Sequence, residues 1–323
     1  MKKILMSLLL LSATQLINAQ TKAVSGSVKD DKGNPLRYVF ILDAQYKDAA
    51  LSDSLGNYSI KVRPESKLQF ALPGYKDETA NAGKGNEGPQ VVLNALNANA
   101  SNNSSGGLTA KVTNQEDKID VSTMRTGGQI APGHQKGNLV GSQYLFEVFV
   151  HGFITDASGE VIYNSDHMLD YDKIRGGLLA VNDGKTVELM DWDKVNGFTL
   201  YSPTDVRYDF EKNMDIDKSH FLQVLTSGPK YKIYKLIKTK FVRSDYVNNG
   251  AAPHGHDYDE FVDDADYFFL DVQDKQPKKL SLKKKSIKEN FAKEVDKVNK
   301  YLSDHSGSID DAYLSKLGDY MNQ

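Results

Sequence analysis

From Ala23 onward, short apolar runs alternate with clusters of turn residues, the pattern of a sheet made of short strands. Val24-Ser-Gly-Ser-Val28 leads through the turn Asp30-Asp-Lys-Gly-Asn34 to Tyr38-Val-Phe-Ile-Leu42. After a second turn, Ser52-Asp-Ser-Leu-Gly56, Tyr58, Ile60 and Val62 alternate with Ser59, Lys61 and Arg63. A period of two puts one face of such a strand against a core and the other in water. Leu68, Phe70 and Leu72 repeat the device, Pro73-Gly74-Tyr75 turns the chain, and Val91, Val92 and Leu93 supply a last strand. Residues 20–95 therefore read as a small β-sandwich.

The pattern then lapses. Asparagines at 94, 97, 99, 102 and 103, followed by Ser104-Ser-Gly-Gly107, offer little to bury, and the chain stays polar through Pro132-Gly133. Residues 96–138 read as a flexible polar linker. Apolar and β-branched residues return at Gln143–Thr155, turn at Asp156-Ala-Ser-Gly159 into Glu160-Val-Ile-Tyr163, and recur as Leu178-Leu-Ala-Val181, Asn182-Asp-Gly184, Thr186-Val-Glu-Leu189. These hairpin signals predict an antiparallel β-meander over 139–285, a sheet either curled or closed like a barrel. In Tyr231–Phe241, Lys232, Lys238 and Lys240 share one parity and Ile233, Ile237 and Phe241 the other. That predicts a strand with one wet face, its lysines discouraging pairing at a sheet edge.

Past residue 285 the period changes to that of a helix. Ile287, Phe291, Val295, Val298 and Leu302 fall on one helical face, Ser286 and Glu289 have capping-box spacing, and Glu289/Lys293 and Asp296/Lys300 are spaced for ion pairs. A second helix is expected from Ser308 and Asp311 after a break at Gly307. The ten lysines between Lys275 and Lys300 read as the wet side of a helix packed on the sheet. The fold class is thus mainly β: a seven-stranded sandwich, a linker, a β-rich domain at 139–285, and two C-terminal α-helices over 286–323.

Several of these positions together carry a family signature. Gly26-x-Val28, Asp31-x-Gly33-x-Pro35-Leu36, Ser52-Asp53-x-x-Gly56-x-Tyr58-x-Ile60-x-Val62 and Leu68-x-Phe70 before Gly74-Tyr75 resemble the carboxypeptidase regulatory-like domain, with Ser52 where that family more often has threonine. The resemblance implies a seven-stranded transthyretin- or immunoglobulin-like sandwich that serves as an accessory module and brings no catalytic residues. The second half resembles a loosely defined group of exported β-rich proteins through Gly141-Ser-Gln-Tyr-Leu-Phe146 and Leu280-Ser-Leu-Lys-Lys-Lys-Ser286; no active residues come with that likeness.

Lys2 and Lys3, the apolar run Ile4–Leu11 and Ile17-Asn-Ala19 before Gln20 have the order of a secretory signal over residues 1–19. With that signal cleaved, no stretch is apolar enough to span a membrane as a helix. The expected location is the periplasm, the outer-membrane periphery or the outside of the cell. The absence of cysteine from all 323 residues excludes disulfides, thiol nucleophiles and acylation of an N-terminal cysteine. A net charge of −3 gives no global attraction to nucleic acid.

Candidate chemistry concentrates at His254-Gly-His256-Asp257-Tyr-Asp259-Glu260 with Asp263, Asp264 and Asp266. Imidazoles and crowded carboxylates can bind divalent metal. His254, His256, Asp257, Asp259, Glu260, Asp263 and Asp264 are therefore candidate metal ligands, although the stretch has neither His-Glu-x-x-His nor calcium-loop spacing. The competing reading is a solvated acidic loop. Seven histidines accompany no nucleophile elbow, and Trp192, between Asp191 and Asp193, reads as half-buried packing. The resulting expectation is a non-enzymatic binding or scaffold module of the envelope, with a protein or glycan partner and no cofactor. Two alternatives stand beside it: a hydrolase or metal-dependent enzyme using loop 254–266, and an accessory component of outer-membrane uptake or assembly.

Overall fold

A computed structural model describes residues 21–83, 85–96, 107–109, 125–130, 139–182, 186–246 and 254–323; the signal-like segment 1–19 and most of 96–138 lie outside the described residues. The chain divides into two compact units, Met1–Ala71 with Tyr75–Ala95, and Leu72–Gly74 with Leu96–Gln323. Strand predominates, and the helices are C-terminal.

The first unit has seven strands: β1 (Lys22–Asp30), β2 (Phe40–Asp43), β3 (Asp48–Leu51), β4 (Asn57–Val62), β5 (Lys67–Ala71), β6 (Glu78–Asn81) and β7 (Glu87–Leu93). They form two sheets, β4-β1-β7 and β3-β2-β5-β6. β1 and β7 run parallel, and the other pairs are antiparallel. The alternating residues Tyr58, Ile60 and Val62 are buried, as are Val24, Val28, Leu68 and Phe70. Ser52 is buried as well: its hydroxyl donates to the Leu36 carbonyl at 2.7 Å and accepts the Val39 N–H at 2.9 Å. A hydroxyl at this point satisfies two backbone groups that an apolar side chain would leave unpaired.

Two turn designs recur through both units. In Asp30–Asn34, Asp53–Asn57 and Asp156–Glu160 the aspartate carboxylate accepts the N–H groups two and four residues on. The fourth residue is a glycine at positive φ (Gly33, Gly56, Gly159), whose N–H returns to the aspartate carbonyl. The second design begins at Asp43, Asp172 and Asp271, all buried. Each carboxylate accepts the N–H groups two and three residues on. The fifth residue, Lys47, Gly176 or Lys275, takes φ between 56° and 69°.

The second unit contains β8 (Gly107–Thr109), β9 (Arg125–Ile130), β10 (Leu139–Val140), β11 (Gly152–Asp156), β12 (Val161–Asn164), β13 (Met168–Asp172), β14 (Gly177–Val181), β15 (Val187–Met190), β16 (Val195–Tyr201), β17 (Arg207–Glu211), β18 (Leu222–Ser227), β19 (Tyr231–Val242), β20 (Asp259–Asp271) and β21 (Pro277–Leu280). One sheet runs β10-β20-β19-β18-β17-β16-β11-β12-β8 with β21 also paired to β20; a second runs β13-β14-β15-β9. Among the described residues neither sheet closes into a barrel. The pairing is antiparallel except between β10 and β20. β8 and β9 come from the stretch whose composition reads as linker. They pair with β12 and β15 through backbone groups, an attachment that needs no apolar side chain.

The register Phe198–Phe210–Gln223–Lys235–Tyr267 crosses one face of the large sheet. At the β11–β17 end this face packs against the smaller sheet, burying Ile154, Tyr171, Leu178, Phe198, Phe210 and Phe221. At the other end it packs against three helices, α1 (Lys284–Asn290), α2 (Val295–Asp304) and α3 (Asp311–Asn322). β19 therefore lies inside the sheet and guards no edge. Tyr234 and Leu236, on the parity expected to be wet, are buried with Leu222, because a central strand has cover on both faces; only Lys238 and Lys240 keep that side exposed.

The expected long helix is also broken. Phe291 takes φ −95° and ψ 27°, Ala292–Glu294 form a 3-10 turn, and α2 starts afresh at Val295. The break rotates the second segment, so Ile287, Phe291, Val298 and Leu302 stay buried while Val295 is 43% exposed. Ser286 lies within α1 and accepts the Ser281 N–H instead of capping the helix. Lys293 turns from Glu289 to Asp271 and Asp274, 2.9 Å from each. The cap of α3 is Asp310, whose carboxylate accepts the Tyr313 N–H at 2.8 Å. Among the described residues no helix is long and apolar enough to cross a membrane.

Candidate functional site

The acidic segment singled out in the sequence becomes the outer part of a long ribbon. β19 and β20 pair from Tyr231 opposite Asp271 to Val242 opposite Glu260. Alternation along a strand sends Asp259, Phe261 and Asp263 to one face and Glu260, Asp264 and Asp266 to the other. Asp263 accepts the Lys173 ammonium at 2.8 and 2.9 Å and also the Thr239 hydroxyl. Asp259 accepts the Ser244 N–H at 2.8 Å, and Asp266 is paired with Lys279 at 2.8 Å. Before the strand, His256 donates its N–H to Asp245 at 2.7 Å. That bond holds the Asp245 carboxyl below the usual carboxylate range. His254, His256 and Asp257 are exposed, and the His256 ring lies 5.2 Å from that of Tyr258. The candidate ligands are thus spread over a loop and two strand faces. Among the described residues no group of three or more His, Cys, Asp or Glu side chains is placed to hold a metal ion.

At the tip of this ribbon the Phe241 and Phe261 rings pack 5.2 Å apart. Phe241 is 39% exposed, and Leu139 and Val140 of the adjoining β10 are 38% and 50% exposed. Register places Leu139 beside Asp259 on the Phe261 face and Val140 beside Glu260 on the other. Apolar side chains in water, rimmed by acids, are the features of a contact surface. No family model and no curated protein matches this chain.

A second concentration of charge lies at the end of β13. Asp170 is buried and accepts the N–H groups of Tyr171 at 2.7 Å and Phe146 at 3.3 Å. Burial pushes its carboxyl up to about 7, against the pull of these backbone donors and of Lys173. Asp172, fully buried, binds the Arg175 guanidinium at 2.5 Å. The segment Gln143–Phe146 is tied alongside: Lys173 N–H donates to the Gln143 carbonyl and Leu145 N–H to the Tyr171 carbonyl. The strand expected from Gln143 is irregular here, and the regular strand β11 begins only at Gly152. Asp170 can take up a proton near neutrality, and the atoms it touches belong to the backbone it pins. Acids inside the apolar strand Met168-Leu-Asp-Tyr-Asp172 were the available signal for this cluster, which sequence reading passed over.

Asp217, Ser219 and His220 come together beneath Lys238. One Asp217 oxygen lies 2.9–3.0 Å from the Ser219 N–H and hydroxyl and from the His220 N–H and Nδ1; the other binds Lys238 at 3.0 Å. Burial raises the Asp217 carboxyl, but the Ser219 N–H, Lys238 and His220 outweigh it and hold the group well below the carboxylate range. The serine hydroxyl also reaches Nδ1, at 3.0 Å. A serine relay needs acid and hydroxyl on opposite ring nitrogens; this arrangement closes a loop. Trp192 packs on Phe221 at 4.6 Å, and the Lys212 ammonium sits 4.6 Å from the indole centroid while donating to the Trp192 carbonyl.

Proposed function

We propose that this is an exported, non-enzymatic binding or scaffold protein of the bacterial envelope. On this reading an accessory module of the carboxypeptidase regulatory-like kind is joined to a β-rich unit that contacts a protein or glycan partner. The observation that carries it is the ribbon tip, where Phe241 and Leu139 are exposed on the face that bears Phe261, with Val140 exposed on the reverse face. Large side chains displayed together bury well against a partner. The polar clusters support the same reading, since Asp170, Asp172, Asp217 and Asp263 spend their acceptors on turns, backbone donors and cations of their own fold.

The test is photo-crosslinking in the native host. A photoreactive phenylalanine analogue at position 241 is expected to give a discrete adduct with one envelope protein or glycan. The same analogue at Val206, which is at least as exposed as Phe241, reports chance encounters. Identical adduct patterns from the two positions, or none from position 241, would overturn the proposal.

A further inference from the structure

The outer edge of β20 is only partly occupied. β10 pairs with it in parallel at Asp259 and Glu260, and β21 pairs antiparallel from Tyr267 to Leu270. Between them no residue has a partner strand among the described residues; Gly141 packs against the Phe261 carbonyl, and Val262–Asp266 leave an opening of roughly 17 Å at the rise of an extended chain. Every second residue of such an edge turns its N–H and C=O outward, where a further strand can take them up. The two flanking strands show that this edge accepts neighbours in either direction.

The charges along the edge state what kind of strand it suits. β20 (DEFVDDADYFFLD) carries six acids and no base, while β19 (YKIYKLIKTKFV), on its inner side, carries four lysines and no acid. β21, already on the outer side, reads Pro277-Lys278-Lys279-Leu280, and Lys279 binds Asp266 at 2.8 Å. Both of its antiparallel neighbours are therefore lysine-bearing. Within the opening Asp263 and Asp264 are exposed. Asp263 is engaged by Lys173 and Thr239 on one face and Asp266 by Lys279 on the other, which leaves Asp264, with Glu260 on the same face, to select an incoming cation.

We infer that the Val262–Asp266 edge of β20 is a strand-addition site for an extended peptide segment of a partner protein with lysine or arginine at alternate positions. The inference rests on the binding-module reading and specifies the partner's chemistry. Backbone hydrogen bonds hold such a segment, and side chains of one parity choose it. Opposite charges across an added pair favour the right register, whereas a second copy of this strand would set acid against acid.

The probe is a blocked, fluorescent seven-residue peptide alternating valine and lysine, titrated into the purified protein at low salt and followed by hydrogen exchange. Saturable binding is expected, with exchange of the outward-facing amides within 262–266 slowed about tenfold. The same peptide with its lysines replaced by glutamate should not bind, nor should one N-methylated along one edge of its backbone. Asp264→Lys should weaken binding about tenfold, with the Trp192 emission unchanged; Asp264→Asn, which keeps the size of the side chain, should weaken it less. No saturable binding, protection elsewhere, or equal binding of the N-methylated peptide would overturn the inference. Its failure would leave the position-241 crosslink intact, whereas loss of that crosslink with peptide binding retained would remove the ribbon-tip reading alone.

Discussion

Replacing Asp170 with asparagine isolates one buried charge. The Asp170 carboxyl rises from 3.8 to about 7 in the folded chain, so between these values the native state holds a proton that the unfolded chain has released. Stability therefore falls as pH rises through this window; the cost is absent below the lower value and complete above the upper one. At 1.36 kcal/mol per pH unit, the full penalty is roughly 4 kcal/mol, of which about 3 develops between pH 5 and 8. Asparagine keeps an oxygen for the Phe146 and Tyr171 N–H groups and has no charge to bury. Urea unfolding followed by Trp192 emission reports this unit alone, because Trp192 is the only tryptophan and packs on its core. All other carboxylates titrate in both proteins, so the wild-type stability minus that of Asp170→Asn should fall by about 3 kcal/mol from pH 5 to 8. A difference that stays flat across that range would refute the reasoning.

Other consequences are local. Lys275 takes φ 56° in a turn where the equivalent Gly176 needs no Cβ accommodation, so Lys275→Gly should raise the unfolding free energy by about 0.5 kcal/mol in urea titrations. Ser52→Ala removes both bonds of a buried hydroxyl; calorimetry should show the first unit losing about 2 kcal/mol while the transition seen by Trp192 stays in place. Asn322 accepts the Lys230 and Tyr231 N–H groups and donates to the Tyr231 and Gly318 carbonyls; Asn322→Ala should lower the second unit's stability by about 2 kcal/mol by far-ultraviolet dichroism in urea. At Gly318 of α3 a Cβ would run into the Thr226 side chain, so Gly318→Leu should lift the helix from β18 and cost at least about 2 kcal/mol in the same assay.

What was legible in the sequence depended on whether local pattern or distant neighbours decided each feature. Strand alternation at Tyr58–Val62 and the turns read at Asp30–Asn34, Ser52–Gly56 and Asp156–Gly159 are local, and they appear in the fold. Placement within a sheet is not local. The lysines of β19 suggested an edge, yet β18 and β20 flank the strand. The 3.6 period through Val295 could not announce the break after Phe291, whose position is set by packing on β19–β21 and by the pull of Asp271 and Asp274 on Lys293. β8 and β9 are joined to their sheets by backbone pairing, which composition does not announce. For the site, the acidic stretch 257–266 stood out, but its division between two faces and the pairing of Asp263 with Lys173, ninety positions away, follow from topology. The exposure of Phe241 beside Phe261 was equally hidden, because aromatics in a strand ordinarily signal a core.

The central claim, export of a two-unit β protein that acts outside the cytoplasm, is tested most directly by fractionating the native host and sequencing the N-terminus of the recovered chain. The account predicts release from the envelope or medium without detergent and a first residue at or near Gln20. Recovery of the protein from the cytosol still beginning at Met1 would contradict it.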